Sequence, residues 1–153
     1  MRYLLVDRIV EWEAGKKIRG VKNIAMSEDF LEYHFPKNPV MPGVLLLEAM
    51  AQLAGWLEAA SSDFEHWCLI ERVHQSHFYG FAYPGDRVEI EVEIKAAPAE
   101  RERTFAGVCR VEGKKKVVAE FDGKIVALAE IDHVDDRRQN FRLLTRSQPT
   151  SLD

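Results

Sequence analysis

The fold of this chain is decided between Tyr33 and Ser62 by the stretch YHFPKNPVMPGVLLLEAMAQLAGWLEAASS. Its first third is a loop with three prolines, each of which fixes a backbone φ angle and makes the loop stiff. Residues 44–57 then carry apolar side chains on every side of a helix, a pattern that is typical of a helix buried in a protein core. The stretch therefore predicts one long core helix that is entered from a stiff loop.

Two polar side chains interrupt this helix, Glu48 and Gln52. Because they are four residues apart, they lie on the same helical face. A buried, ionised carboxylate without a partner is strongly destabilising, so Glu48 requires a group that satisfies it. In a structural interpretation, Glu48 points to an exposed strip or is held by an arginine. In a functional interpretation, its carboxyl group takes part in proton transfer.

The composition is that of an ordinary globular protein. Of the 153 residues, 46% are hydrophobic and 30% are charged. We expect one domain at residues 1–132, followed by a tail at residues 133–153 that is either flexible or docked. The formal net charge of −4 argues against a general electrostatic grip on nucleic acid, so we expect no nucleic-acid partner.

Cysteine usage and the apolar segments indicate the cellular compartment. Cys68 and Cys109 lie within apolar alternating patterns and lack metal-ligand spacing, so we expect two reduced core thiols, no metal site and a cytoplasmic protein. The apolar run at residues 3–6 is too short for the core of a signal peptide. The helical segment is shorter than the roughly 20 apolar residues of a membrane span and contains Glu48, so we expect no membrane span.

The regions around the helix predict an antiparallel sheet. Residues 88–94 alternate apolar and charged side chains with a strict period of two, which is the clearest strand pattern in the chain. Further strands are predicted as a hairpin over residues 3–24 and within residues 67–73, 105–111 and 117–131. Asp122-Gly123 is either a tight hairpin turn or a bulge within one long bent strand. The predicted class is α+β, with five or six mostly antiparallel strands wrapped around the helix.

His34, in the stiff loop, adds a side chain that titrates near neutral pH. We interpret His34 as a candidate base, Glu48 as a candidate acid and Gln52 as the residue that orients the carboxyl group. The backbone N–H groups of Gly43 and Val44, at the positive end of the helix, are suited to stabilise charge on a carbonyl oxygen. These parts fit proton abstraction next to an activated carbonyl, with loss or gain of a β group. The alternative, that His34 is a capping or core histidine, stays open because sequence separation does not establish proximity.

The run HFPKNPVMPGVLLLEAMAQ at residues 34–52 closely resembles the β-hydroxyacyl-acyl carrier protein dehydratases of the FabZ type, which have the hot-dog fold. The resemblance extends to LLVDR at residues 4–8, YPGD at residues 83–86 and DGKIVA at residues 122–127, and it covers roughly residues 3–131. It implies an antiparallel sheet wrapped around one long central helix, with dimers joined by a continuous sheet. In this family, three dimers often assemble into a hexamer.

The resemblance also implies a homodimer with composite active sites. His34 would come from one subunit and Glu48 from its partner, with Gln52 holding the carboxylate and the Gly43 and Val44 N–H groups receiving the thioester oxygen. The implied reaction converts a 3-hydroxyacyl thioester, carried on acyl carrier protein or coenzyme A, to a trans-2-enoyl thioester and water. No cofactor is implied, and the reaction belongs to fatty acid or related acyl-chain biosynthesis.

Several positions depart from the family pattern and leave the acyl chain length open. Tyr33 stands where the family often has a glycine, and Asn38 stands where it often has a histidine. The side chains that the resemblance assigns to the acyl tunnel or its access are Tyr33, Phe35, Phe78 and Tyr79. Aspartate at the acid position accompanies isomerisation in the FabA-type enzymes, so Glu48 favours dehydration alone. Two alternatives remain, a hot-dog acyl thioesterase and a non-catalytic acyl-binding hot-dog subunit.

Overall fold

A computed structural model of the chain describes residues 3–146. Within this range one antiparallel sheet contains the strands β1 (Arg8–Glu13), β2 (Lys17–Asn23), β3 (His66–Phe78), β4 (Arg87–Ala99), β5 (Glu102–Val111) and β6 (Lys114–Ala127). The strand order is β1-β2-β4-β5-β6-β3, so β1 and β3 form the two edges. The helices are α1 (Gly43–Ser61) and α2 (Val134–Thr145), with short 3₁₀ turns at Asp29–Leu31 and Leu128–Glu130. The α+β prediction is confirmed.

Helix α1 lies at the centre of the core, as its apolar sequence predicts. It contacts all six strands, and Met50, Leu53 and Leu57, which follow one another at spacings of three and four residues, are fully buried. The helix begins at Gly43, and Pro42 is its N-cap rather than its first helical residue. Among residues 3–146, α1 is the one helix that is long and apolar enough to cross a membrane, and 61% of that apolar segment is buried inside the protein. These properties are those of a core helix.

Strand β4 confirms the clearest strand prediction. Val88, Ile90 and Val92 are buried, whereas Glu89 is exposed and Glu91 is half-buried on the opposite face. The apolar face of β4 therefore packs towards α1, and the glutamates point away from the core.

The pair Asp122-Gly123 lies inside β6, which continues through it without a turn. Gly123 is needed here for close packing, because a Cβ atom at this position would lie 2.1 Å from the Sγ atom of Cys68. The irregularities occur in the neighbouring strand β3, where the pairing register with β6 shifts twice between Ile70 and Gln75. One long strand is therefore the correct alternative, and the bulges belong to β3.

Both cysteines are free core residues, as predicted. Burial raises the pKa of the Cys109 thiol to about 12. Burial, and secondarily the nearby Glu58 carboxylate, raises the pKa of the Cys68 thiol to about 12. Because the thiolate is the reactive form of cysteine, neither residue is suited to act as a nucleophile near neutral pH.

Helix α2 lies within the region expected to be a tail, and its side chains contact the body of the domain. The ring of Phe141 packs edge-on against Trp12 at 5.8 Å and against Phe64 at 5.5 Å between ring centroids. Arg138 donates hydrogen bonds of 2.8 Å to the side chain and to the backbone oxygen of Asp63. Residues 147–153 of the predicted tail lie outside the described residues.

Candidate active site

Glu48 and Gln52 lie on one face of α1 and are directly hydrogen-bonded. The Nε2 atom of Gln52 donates to Oε1 of Glu48 at 3.1 Å and to the backbone oxygen of Tyr3 at 2.7 Å. Its Oε1 atom accepts a hydrogen bond from the backbone N–H of Leu5 at 3.1 Å. The amide thus uses both its donor and its acceptor to tie the Glu48 carboxylate to the segment that leads into β1. The predicted pairing of these two residues is present in the structure.

The expectation that Glu48 is a buried carboxylate is wrong for a single chain, in which this side chain is half-buried. The buried carboxylate of α1 is Glu58, which is 4% exposed and lies one turn from the end of the helix. Arg103 of β5 approaches Glu58 with 3.0 Å between Nε and Oε1. The structural interpretation, a carboxylate held by an arginine, therefore describes Glu58. It does not describe Glu48, whose carboxylate is held by an amide and reaches a cavity.

Of the two ring nitrogens of His34, Nδ1 is hydrogen-bonded, and Nε2 has no hydrogen-bond partner within residues 3–146. Nδ1 lies 2.9 Å from the backbone oxygen of Val40, and a carbonyl oxygen only accepts, so Nδ1 carries the proton. In the neutral ring this leaves the lone pair on Nε2, which is the form required of a base. The ring also stacks on Phe35, with 4.3 Å between centroids.

The loop that carries His34 is closed by its own backbone. The N–H of Val40 donates to the oxygen of His34 at 2.8 Å, and Phe35 and Asn38 exchange two backbone hydrogen bonds of 3.0 Å. The His34-Phe35 peptide bond is cis. At the end of the loop, the N–H of Met41 donates to the oxygen of Ala82 at 2.9 Å. These backbone hydrogen bonds close the loop on itself and join its end to Ala82.

The N-terminus of α1 presents backbone N–H groups beside an aromatic ring. Within residues 3–146 no side chain caps this helix end. A Cβ atom at Gly43 would lie 2.5 Å from Cδ1 of Phe78, so the absence of a side chain lets this ring pack against the backbone. Val44 follows with an exposed side chain. The structure thus brings together one predicted anion-stabilising residue, Gly43, and one predicted tunnel residue, Phe78.

The other aromatic candidates, Phe35, Tyr79 and Tyr33, are exposed side chains. Phe35 lies on the ring of His34, and it is about half exposed. Tyr79 stacks near His77 at 6.1 Å and is exposed, and the side chain of Tyr33 is 76% exposed. In a single chain each of these three side chains is therefore about half exposed or more.

A cavity of about 520 Å³ runs along the α1 face that carries Glu48 and Gln52. Its wall continues past these residues to Trp56 and to the side chains of α2. Within the described residues its lining does not include His34 of the same chain. Trp56 was missed in the sequence analysis, although it lies four residues after Gln52 and hence on the same face. No sequence pattern predicted that side chains of α2 line this cavity.

Residues 1–130 match the model of the FabA-like domain. The chain belongs to the FabA-like family. A protein of Geotalea uraniireducens named 3-hydroxyacyl-[acyl-carrier-protein] dehydratase FabZ is 46% identical to this chain over 132 residues, covering 84% of this chain and 83% of the relative. A protein of the same name from Anaeromyxobacter sp. strain K is 42% identical over 124 residues, covering 78% of each. The resemblance to FabZ-type proteins is confirmed.

The solved structure of smu.793 from Streptococcus mutans UA159, bound to acetyl CoA, superimposes on this FabA-like domain with a TM-score of 0.65. It is 12% identical in sequence, and the match covers 83% of this chain and 94% of that chain. At this identity the likeness concerns the fold alone, and the predicted hot-dog fold is confirmed. The family match includes the loop and the helix of the site and ends before α2 begins at Val134.

Proposed function

We propose that this FabA-like domain is a hydro-lyase that converts 3-hydroxyacyl thioesters on acyl carrier protein to trans-2-enoyl thioesters in fatty acid biosynthesis. The observation that carries the proposal is the Glu48 carboxylate, held by Gln52 at 3.1 Å at the wall of a cavity. The free Nε2 of His34 supplies the complementary base. The names of the FabZ relatives support the same reaction.

The residues have separate roles in the proposed elimination. Nε2 of His34 removes the proton from C2 of the acyl chain, and the electrons of that C–H bond form the C2–C3 double bond. The C3–O bond breaks as Glu48 gives its proton to the departing hydroxyl group, which leaves as water. The N–H groups of Gly43 and Val44 donate to the thioester oxygen, which carries negative charge in the transition state. Transfer of a proton from His34 back to Glu48 restores both groups.

The two halves of this site come from different copies of the chain in our proposal. Two observations support this arrangement. The Glu48 cavity lacks His34 of the same chain among its described lining residues. The 13-residue edge strand β3 also exposes apolar side chains, including Leu69, Ile70 and Val73, and an uncovered edge of this kind pairs readily with another strand. We therefore propose a homodimer with β3 at its centre, and as a finer proposal a hexamer made of three such dimers.

Carrier and location complete the proposal. Acyl carrier protein is the preferred carrier because the relatives are named for it, and coenzyme A thioesters are the alternative substrates. The reduced core thiols Cys68 and Cys109 support a cytoplasmic location. The burial of α1 argues against a membrane span, and the formal net charge of −4 argues against a nucleic-acid partner.

The test is the reverse reaction followed with two readouts. The purified protein is expected to hydrate a trans-2-enoyl thioester, which removes the enoyl absorbance without releasing a thiol. Release of thiol instead identifies the thioesterase alternative, and binding without turnover identifies the non-catalytic one. His34→Ala and Glu48→Gln are each expected to lower kcat by about 10²- to 10⁴-fold. His133→Ala and Glu65→Gln, which change exposed side chains of the same residue types outside the site and outside β3, are the matched controls. Unaltered rates in both site variants would refute the proposal.

A further inference from the structure

The Glu48 cavity extends along α1 well beyond the proposed catalytic group. Glu48, Gln52 and Trp56 follow one another at intervals of four residues, and all three line the cavity. At about 1.5 Å of rise per residue, Glu48 and Trp56 are separated by roughly 12 Å along the helix axis. An extended chain of single bonds advances about 1.2 Å per bond, so this length corresponds to roughly ten methylene groups.

The far end of the cavity is an aromatic wall closed by α2. Trp56 and Trp67 pack edge-to-face with 5.1 Å between ring centroids. The guanidinium group of Arg137, from α2, lies 4.5 Å from the Trp67 ring centroid and 5.5 Å from that of Trp56. A Cβ atom at Gly55 would lie 2.3 Å from the Trp67 ring, so this ring is pressed tightly against α1.

The charged groups at this end neutralise each other. Nε of Arg137 lies 2.5 Å from Oδ2 of Asp132. The backbone N–H of His133 and the Arg137 side chain donate to Asp132 and hold the pKa of its carboxyl below the ordinary value. Trp56 and Trp67 are themselves only 6% and 7% exposed, so the surface at this end of the cavity is formed largely by Asp132, Arg137 and Asn140, with Leu143 and Leu144 beside them. A polar wall of this kind stops a hydrocarbon chain, because covering these groups with hydrocarbon would remove their contact with water without giving them a hydrogen-bond partner.

Helix α2 is fixed at its position by contacts outside the cavity. Arg138 is hydrogen-bonded twice to Asp63 and lies over the ring of Phe64. Phe141 packs against Trp12, Phe64 and Trp56. These contacts reach the end of α1, the segment that follows it and strand β1, so α2 is held in place as a wall of the cavity.

We propose that α2 is the end wall of the acyl-binding cavity and limits the length of the acyl chain that the enzyme accepts. This inference rests on the proposed function for the position of the reacting carbons at Glu48. It gives a role to a segment that lies beyond the family match, which ends at residue 130. Acyl chains whose hydrocarbon part reaches past Trp56 are expected to meet the Arg137 wall and to be poor substrates.

The test uses substitutions that narrow the cavity at α2 and measures how reaction rate and affinity then depend on acyl chain length. Asn140 and Leu143 line the cavity and are exposed, so Asn140→Trp and Leu143→Trp fill space at the wall without disturbing the core. Gln139→Trp places the same side chain on a neighbouring exposed residue that does not line the cavity, and it is the matched control. Rates are measured with 3-hydroxyacyl carrier-protein thioesters of four to sixteen carbons. Affinities are measured with unreactive saturated acyl-coenzyme A thioesters of the same lengths.

The expected result is a length-selective loss. Asn140→Trp and Leu143→Trp should lower kcat/KM for the longest accepted chains by about tenfold or more and leave the four-carbon substrate unchanged. The affinity for long saturated acyl-coenzyme A should fall in parallel, and Gln139→Trp should change neither quantity. An equal effect at all lengths, or none at any length, would overturn the inference. If the unaltered protein dehydrates no substrate, the proposed function fails, and the binding series alone then decides whether α2 limits chain length.

Discussion

Replacing Gln52 by leucine removes three hydrogen bonds, one of which holds the proposed acid, Glu48. Two of these bonds go to the backbone of Tyr3 and Leu5, at 2.7 and 3.1 Å. At about 1 kcal/mol each, their loss is expected to lower the free energy of unfolding by about 2 kcal/mol. The third bond, to the Glu48 carboxylate at 3.1 Å, belongs to the stronger class worth about 1.5–3 kcal/mol. If this bond positions the acid in the transition state, kcat/KM should fall by about 10- to 150-fold.

Two measurements on Gln52→Leu separate the stability effect from the kinetic one. Urea unfolding gives the first, and enoyl-thioester hydration gives the second at a temperature where the variant is fully folded. Gln52→Glu is the informative second variant, because it keeps an acceptor for the N–H of Leu5 and places a second carboxylate against Glu48. It should lose activity although its link to Leu5 is retained. A folded Gln52→Leu variant with kcat/KM within about twofold of the unaltered protein would refute the positioning role.

Three further predictions concern stability and reactivity. The pKa of Asp132 is held below its ordinary value of 3.8, so its contribution to α2 docking is present above about pH 4 and is lost as the pH falls through the lowered pKa. Tryptophan fluorescence should therefore report an acid transition that is absent from Asp132→Asn. An identical transition in this variant would contradict the assignment. Because burial raises the pKa of Cys68 and Cys109 to about 12, both thiols should resist a disulfide reagent at pH 8 until urea unfolds the protein. Rapid labelling of the native protein would contradict this prediction. Gly55→Ala should destabilise the protein, because overpacking against Trp67 costs about 1–3 kcal/mol and helix propensity returns about 1 kcal/mol, and a higher urea midpoint would contradict this account.

The parts of the fold that were predictable from sequence are those with a regular period. The apolar segment of α1 and the alternation in β4 each reflect one element packing against one core, so residue order alone contains the pattern. The pairing of Glu48 with Gln52 followed in the same way from helical geometry. Asp122-Gly123 remained ambiguous, because a glycine that is required for close contact with a cysteine sulfur cannot be distinguished by sequence from one that is required for a turn.

The remaining features depend on contacts between distant parts of the chain. Helix α2 is held to the end of α1 by Arg138 and Asp63, which are 75 residues apart in sequence. Its apolar side chains are few because it covers the surface of the domain, so its pattern resembles that of a tail. The exposure of Glu48 could not be predicted either, because burial of this carboxylate depends on elements far from α1 in sequence and, in our proposal, on a second copy of the chain.

The most direct test of the composite site is complementation between two inactive variants. His34→Ala keeps Glu48, and Glu48→Gln keeps His34, so a mixed dimer of the two contains one complete site and one site lacking both groups. After subunit exchange in an equal mixture, about half of the dimers are mixed, and the activity should return to about a quarter of that of the unaltered protein. Each variant exchanged with itself is the control and should stay inactive. A mixture that forms mixed dimers and remains inactive would contradict a site shared between two copies of the chain.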